Sequence, residues 1–136
     1  MRFAFRLSLL LLLLAIPQFG QVPSLASVKK IKIGSMGQSD EAERFRLLLD
    51  NELNKVGFIT TEDSASADAV LTGVLSVRVE ADESRARVTV LLKTPDGQRL
   101  WGKDFEPHLK LGAKDTVKLR AEDVAKALQK DARKSH

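Results

Sequence analysis

The spacing of apolar residues changes along the chain from near alternation to a helical repeat, and these changes mark the predicted strands and helices. Val28–Ile33 place three apolar side chains among three lysines, which predicts a short strand with one exposed face. From Asp40 to Val56 apolar residues recur every three or four positions, which predicts a helix with one buried stripe. Gly57 follows this stripe and is expected to end the helix in a left-handed conformation.

The start of this first helix has two candidate caps. Asp40 followed three positions later by Glu43 fits a capping box, and Ser39 is a rival N-cap residue. Asp40, Glu41 and Glu43 all fall in the first turn, where negative charge interacts favourably with the positive end of the helix dipole. The sequence leaves the choice between the two caps open.

Four more extended segments follow the helix. Phe58–Thr61 are the first of these segments. With the first strand and the helix before them they give the order strand, helix, strand, which is that of a crossover between parallel strands. The other three segments alternate apolar and polar residues and are joined by turns at 82–84 and 95–97, which predicts an antiparallel meander. These segments are Ala69–Glu80, Arg87–Lys93 and Gln98–Phe105.

A last helical stripe begins at Asp115 and predicts a carboxyl-terminal helix. The whole pattern predicts an α+β fold. In this fold a single small domain contains a β-α-β unit, a three-stranded antiparallel meander and a C-terminal helix packed on one face of the sheet. No repeat or linker interrupts residues 27–136, so we expect one domain there.

The first 26 residues have the order of a secretory signal. Arg2 and Arg6 precede the apolar run Leu7–Ile16, and Ser24-Leu25-Ala26 places small residues where a signal peptidase needs them. The run is about half of the roughly 20 apolar residues that a membrane span needs. We therefore predict a signal peptide at 1–26, cleaved after Ala26, and a periplasmic or secreted domain at 27–136. The alternative is a leader that is retained as an amino-terminal anchor.

Charge and cysteine content narrow the classes of function. The leader holds two of the 22 basic residues and none of the 18 acidic ones, so residues 27–136 carry a net charge near +2. Basic and acidic residues alternate instead of forming one basic face, so no nucleic-acid partner is predicted. The absence of cysteine excludes disulfides, thiolate metal sites, and a lipid anchor carried by a cysteine.

No residue pattern predicts catalysis, a cofactor or a metal site. The two histidines, His108 and His136, have no second ligand at metal spacing, and His136 is the last residue. We therefore expect a protein that is not an enzyme and acts through contacts with other proteins.

Two sets of residues are candidate contact sites. Arg99, Trp101, Lys103 and Phe105 would form a protein-contact patch if their strand face were exposed, whereas core packing is the alternative for Trp101. The second set is the basic end of the last helix, which either matches the helix dipole in solvent or makes a weak contact with an anionic surface. Its members are Lys126, Lys130, Arg133 and Lys134.

Three short motifs resemble a family of small periplasmic α/β modules. They are Lys55-Val56-Gly57-Phe58, the segment Ala67–Gly73 that opens a strand, and Gly97-Gln98-Arg99-Leu100-Trp101. Together they are similar to modules in the curli secretion channel protein, in the penicillin-binding-protein activator lipoproteins and at the amino terminus of the Tol translocation protein. This resemblance implies a binding or assembly role in the cell envelope and no catalysis.

Two hypotheses about function remain open at this stage. The first is an envelope module that binds an envelope protein or associates with itself, through a sheet edge or the Trp101 and Phe105 face. The second is a small-ligand carrier or an envelope enzyme, which needs a pocket between sheet and helices with converging polar groups. The sequence shows no such converging groups, and a deep pocket holding Asp68, Arg87 or His108 would favour this second hypothesis.

Overall fold

A computed structural model describes residues 23–80, 83–106 and 115–135. Most of the predicted leader, together with His108 and His136, lies outside these residues. The elements are a 3-10 turn at Leu25–Ser27, strands β1 (Lys30–Ile33), β2 (Ile59–Thr60), β3 (Ala69–Glu80), β4 (Glu83–Lys93) and β5 (Arg99–Phe105), and helices α1 (Asp40–Lys55) and α2 (Thr116–Lys134). No described helix has the length and apolar character needed to cross a membrane.

The strands form one mixed sheet in the order β2-β1-β3-β4-β5. Strand β1 pairs in parallel with β2 and with β3, so α1 is the crossover of a β-α-β unit. Strands β3, β4 and β5 pair in antiparallel fashion as the predicted meander. The α+β fold class and its arrangement of elements are therefore confirmed.

Both helices pack on the same face of the sheet. Phe45 of α1 and Val124 of α2 are completely buried, as are Leu71 of β3 and Leu92 of β4. On the opposite face, Val74 of β3 is 65% exposed. The described domain therefore has two layers, with the core between sheet and helices.

The two helices run parallel to each other. Near the start of α1, Arg44 forms an ion pair with Asp115, the N-cap residue of α2. After the end of α1, the Gln129 side-chain amide of α2 donates a hydrogen bond to the Val56 carbonyl at 2.8 Å. Both helices therefore end at the same end of the domain.

The predicted boundaries are close to the observed ones, with two corrections. Strand β4 begins at Glu83, four residues before the predicted start, and Glu83 and Ser84 pair with Glu80 and Val79 instead of forming a turn. The cap of α1 is Ser39, whose hydroxyl accepts a hydrogen bond from the Ala42 amide at 3.1 Å, so the capping box on Asp40 is wrong. Gly57 has the expected positive φ of 102°.

The motif at Ala67–Gly73 has a structural role. One Asp68 carboxylate oxygen accepts hydrogen bonds from the backbone amides of Lys29 and Lys30 at 2.9 and 2.8 Å, which holds the start of β1 beside the start of β3. A Cβ atom on Gly73 would lie 2.4 Å from the carbonyl oxygen of Thr89. Both residues are therefore explained by strand packing, without a ligand.

The described chain begins with residues that belong to the core. Leu25 is 8% exposed and lies in the 3-10 turn, which packs against α2. Burying a leucine side chain contributes about 1.5–3 kcal/mol to stability. Cleavage after Ala26, as the sequence predicts, would remove this core residue from the mature domain.

Candidate interaction surfaces

Trp101 is a core residue and is not available for a partner. Its side chain is 8% exposed, and its indole N–H donates a hydrogen bond to an Asp131 carboxylate oxygen of α2 at 2.9 Å. Trp101 therefore packs in the core, which was the alternative to a contact site in the sequence analysis. A tryptophan that is buried with its one donor satisfied stabilises the packing of α2 on the sheet.

The other three residues of the predicted patch do not form one surface with each other. Lys103 is exposed and its ammonium lies 5.9 Å from the centre of the Phe105 ring, which is half-buried. The Arg99 guanidinium lies on the other face of β5. It covers Gly102 there, where an added Cβ atom would be 2.8 Å from it. The structure therefore divides the predicted contact set between two faces and the core.

The described helices leave one face of the sheet uncovered, and this face is here called the open sheet face. Val74 lies near its centre, directly opposite Thr89, and Leu91 lies opposite Thr72 on one side and Gly102 on the other. Leu91 is half-buried and Thr89 is exposed. The open sheet face consists of Thr72, Val74, Ser76, Arg87, Thr89, Leu91, Gly102 and Asp104.

An ion pair links two strands on the open sheet face. The Arg87 guanidinium donates to Asp104 at 2.6 Å, and the Thr89 hydroxyl donates to the same carboxylate at 2.9 Å. The hydrogen bonds from Arg87 and from Thr89 lower the pKa of Asp104 below its ordinary value. The face therefore combines a small apolar centre with fixed polar groups, as the contact surfaces of many protein–protein interfaces do.

Strand β5 is an edge of the sheet, next to the open sheet face. It is seven residues long, whereas β2 at the other edge has only two. No described strand pairs with the outer side of β5. A long edge strand can accept a strand from a partner, so β5 extends the candidate surface.

Basic residues gather at the end of the domain where both helices end. Lys130, Arg133 and Lys134 lie in the last turns of α2, and Lys126 lies about two turns before its end, at 3.6 residues per turn. Arg133 lines the same depression as Lys29, which precedes β1. We call Lys29, Lys30, Lys130, Arg133 and Lys134 the basic end, and all five are exposed.

The depression beside the basic end is small. Its volume is about 140 Å³, which is below the roughly 300–1,000 Å³ of typical ligand pockets. It is lined by Ala26, Val28, Lys29, Val56, Gly57, Phe58, Gln129, Ala132 and Arg133. Neither Asp68 nor Arg87 lines it, and His108 lies outside the described residues. Among the residues described, no cluster of three or more acidic or histidine side chains is arranged to hold a metal ion.

Comparison with known proteins shows the fold. No protein-family model matches the chain, and no curated protein is significantly similar to it. The chain is similar to a PelC dodecamer from Paraburkholderia phytofirmans, at 17% identity over 81% of this chain and 92% of that one, with a TM-score of 0.57. A second crystal form of the PelC dodecamer gives 17% identity over 79% and 89% of the chains and a TM-score of 0.53.

A third solved structure shares the same fold. It is a DUF4136 family protein from Bacteroides thetaiotaomicron, with 8% identity over 83% of this chain and 92% of that one and a TM-score of 0.50. The structural neighbours thus include PelC and DUF4136 proteins, and the chain spans most of the length of each. The resemblance to the curli, penicillin-binding-protein activator and Tol modules stays a prediction.

Proposed function

We propose that this protein is an exported, non-catalytic module of the cell envelope that acts through protein–protein contacts, chiefly with further copies of itself. The observation that carries the proposal is the open sheet face. Three strands present it without a covering helix in the described residues, and Val74 at its centre is 65% exposed. A protein that covered this face would remove Val74 and Leu91 from water, which favours association.

The structural neighbours support self-association over capture of an unrelated protein. The PelC structures from Paraburkholderia phytofirmans are dodecamers, and their fold matches most of this chain. Where an oligomer of many copies has cyclic symmetry, its interface is heterologous, so that two different surfaces of each copy meet. The open sheet face and the β5 edge supply one such surface, and a different surface of the next copy would cover it.

The test is a pair of matched substitutions on exposed apolar residues. Val74→Arg places a charge at the centre of the open sheet face, whereas Leu47→Arg places the same charge on α1, where Leu47 is 56% exposed. Because both positions are exposed, we expect neither variant to lose more than about 0.5 kcal/mol of stability. Light scattering during size-exclusion chromatography gives the mass of each protein, and chemical cross-linking in intact cells gives its neighbours.

We expect the wild type and Leu47→Arg to form an oligomer and Val74→Arg to be smaller. Circular dichroism of each variant establishes that it is folded. An oligomer that is unchanged in Val74→Arg would contradict the assignment of the open sheet face. A wild-type monomer without cross-linked neighbours in the envelope would contradict the proposed function itself.

A further inference from the structure

The basic end has an excess of positive charge. The basic end holds five exposed cations from two parts of the chain that are distant in sequence, Lys29–Lys30 and Lys130–Lys134. At the opposite end, helix α1 begins with three acidic residues, Asp40, Glu41 and Glu43, beside the acidic N-cap residue of α2. Those acidic residues are largely paired with cations, since Arg44 forms ion pairs with Glu41 and Asp115 and Arg46 forms one with Glu43.

Helix dipoles account for only part of this arrangement. Cations in the last turns of α2 interact favourably with the negative end of the helix dipole. Lys29 and Lys30 belong to no helix, yet the depression that Lys29 lines with Arg133 places them at the same end. Dipole matching therefore does not explain Lys29 and Lys30.

Two acidic residues at this end are already engaged. Asp68 accepts hydrogen bonds from the backbone amides of Lys29 and Lys30, and those two bonds lower its pKa. Asp131 accepts the indole N–H of Trp101. Both carboxylates face backbone or core groups, so the exposed ammonium and guanidinium groups dominate the charge that an approaching partner meets.

The chain enters the domain at this same end. The described residues begin at Pro23, next to the 3-10 turn that packs on α2. Only residues 17–22 separate Pro23 from the apolar run Leu7–Ile16. Six residues reach at most about 20 Å, so a membrane that holds this run lies within that distance of the end of the domain where the cations gather.

We propose that the basic end docks on the anionic surface of a lipid membrane, with its lysines and Arg133 contacting lipid phosphates. Each basic side chain near an anionic leaflet strengthens binding roughly fivefold, and the effect extends about 10 Å at moderate salt. A chain that keeps its leader is held with this end towards the membrane. A processed chain binds reversibly in the same orientation.

The test uses the protein as cells produce it, with one cysteine added as a reporter. The natural chain has no cysteine, so a fluorescent label attaches only at the chosen site. Ser135→Cys places the label at the basic end, and Gln38→Cys places it near the start of α1; both residues are exposed. Vesicles of phosphatidylcholine with spin-labelled chains, with and without phosphatidylglycerol, report contact by quenching the label.

We expect quenching at Ser135→Cys, little at Gln38→Cys, and loss of the difference without phosphatidylglycerol or at high salt. Replacing Lys130, Arg133 and Lys134 together by glutamine should weaken binding about a hundredfold. The matched control replaces three exposed cations elsewhere, Arg78, Lys103 and Lys118, and should retain the orientation. A retained leader would hold the protein on both kinds of vesicle. In that case the proposal is tested by whether quenching at Ser135→Cys depends on phosphatidylglycerol.

Three results would overturn the proposal. They are equal quenching of the two labels, an effect of the control triple variant as large as that of the basic-end variant, and binding to soluble polyglutamate with no binding to anionic vesicles. The last result would assign the basic end to an acidic polymer instead of a membrane. None of them bears on Val74→Arg, so the docking and the proposed self-association succeed or fail separately.

Discussion

The two faces of strand β4 show how one strand can serve both the core and the surface. Towards the helices it places Val88, Val90 and Leu92, which are at most 1% exposed. Towards the open sheet face it places Arg87 and Thr89, which are exposed, and Leu91, which is half-buried. Stability therefore depends on the covered face, and the open sheet face can change with little effect on folding.

The strongest test of this difference compares two adjacent leucines. Leu92→Ala leaves a cavity in the core between the sheet and the helices and should lower the free energy of unfolding by about 2–5 kcal/mol. Leu91→Ala removes the same atoms from the open sheet face and should cost less than about 1.5 kcal/mol. Urea denaturation measures both values. Equal losses would mean that the open sheet face is packed in the free protein, contrary to the structure.

The next largest effect concerns Leu25 on the covered side. A chain that begins at Ser27 lacks Leu25, whereas one that begins at Pro23 keeps it in the core. We expect the shorter chain to be less stable by about 1.5–3 kcal/mol in urea denaturation. Amino-terminal mass spectrometry of the protein from cells shows which form is made. Equal stability of the two chains would show that the 3-10 turn does not contribute to the core.

Trp101 gives a smaller effect at the contact of β5 with α2. Trp101→Phe keeps an aromatic ring but removes the N–H that bonds to Asp131, and it should lower the free energy of unfolding by about 1–2 kcal/mol. Unfolding is followed by circular dichroism, because Trp101 is the only tryptophan. Lys103→Gln on the same strand is the control and should cost less than about 0.5 kcal/mol. A stable Trp101→Phe variant that loses self-association would instead support the original contact patch.

Strands and helices could be predicted because alternation and helical repeats are local properties. Strand β3 begins and ends where its alternation does, and Gly57 ends α1 as expected. The predicted start of β4 was wrong because the four residues Glu83–Ala86 are mostly polar and follow a turn-like segment. Backbone pairing with β3 extends the strand through them, for example between Arg85 and Arg78.

The candidate site was less predictable because it depends on how distant elements meet. The burial of Trp101 depends on Asp131 and α2, thirty residues later in the chain. The open sheet face exists because both helices pack on one side, and the apolar stripe of a helix does not indicate which side it takes. The basic end joins Lys29 and Lys30 to the last turns of α2, and only the observed fold brings these together.

The smallest expected effect is the pH dependence of the Asp68 contact between β1 and β3. The hydrogen bonds from the amides of Lys30 and Lys29 lower the pKa of Asp68 in the folded protein. A lowered pKa means that the carboxylate stabilises the fold above its unfolded pKa of about 4, and that this stabilisation is lost as the pH falls through the folded pKa. We expect Asp68→Asn to cost at most about 1 kcal/mol at neutral pH, since the group is largely exposed to solvent.

The difference between wild type and Asp68→Asn should therefore shrink below about pH 4 and be constant from there to neutral pH. Measuring the variant against the wild type at each pH removes the contribution of other carboxylates, such as Asp104, whose pKa is also lowered by its hydrogen bonds with Arg87 and Thr89. Glu62→Gln is the control for the loss of a surface carboxylate, on a side chain that is 86% exposed and 3.7 Å from the Arg46 guanidinium. A difference that persists in acid would mean that Asp68 acts through its backbone geometry and not through its charge. Asp68 is not one of the residues of the open sheet face, so this substitution should leave self-association unchanged.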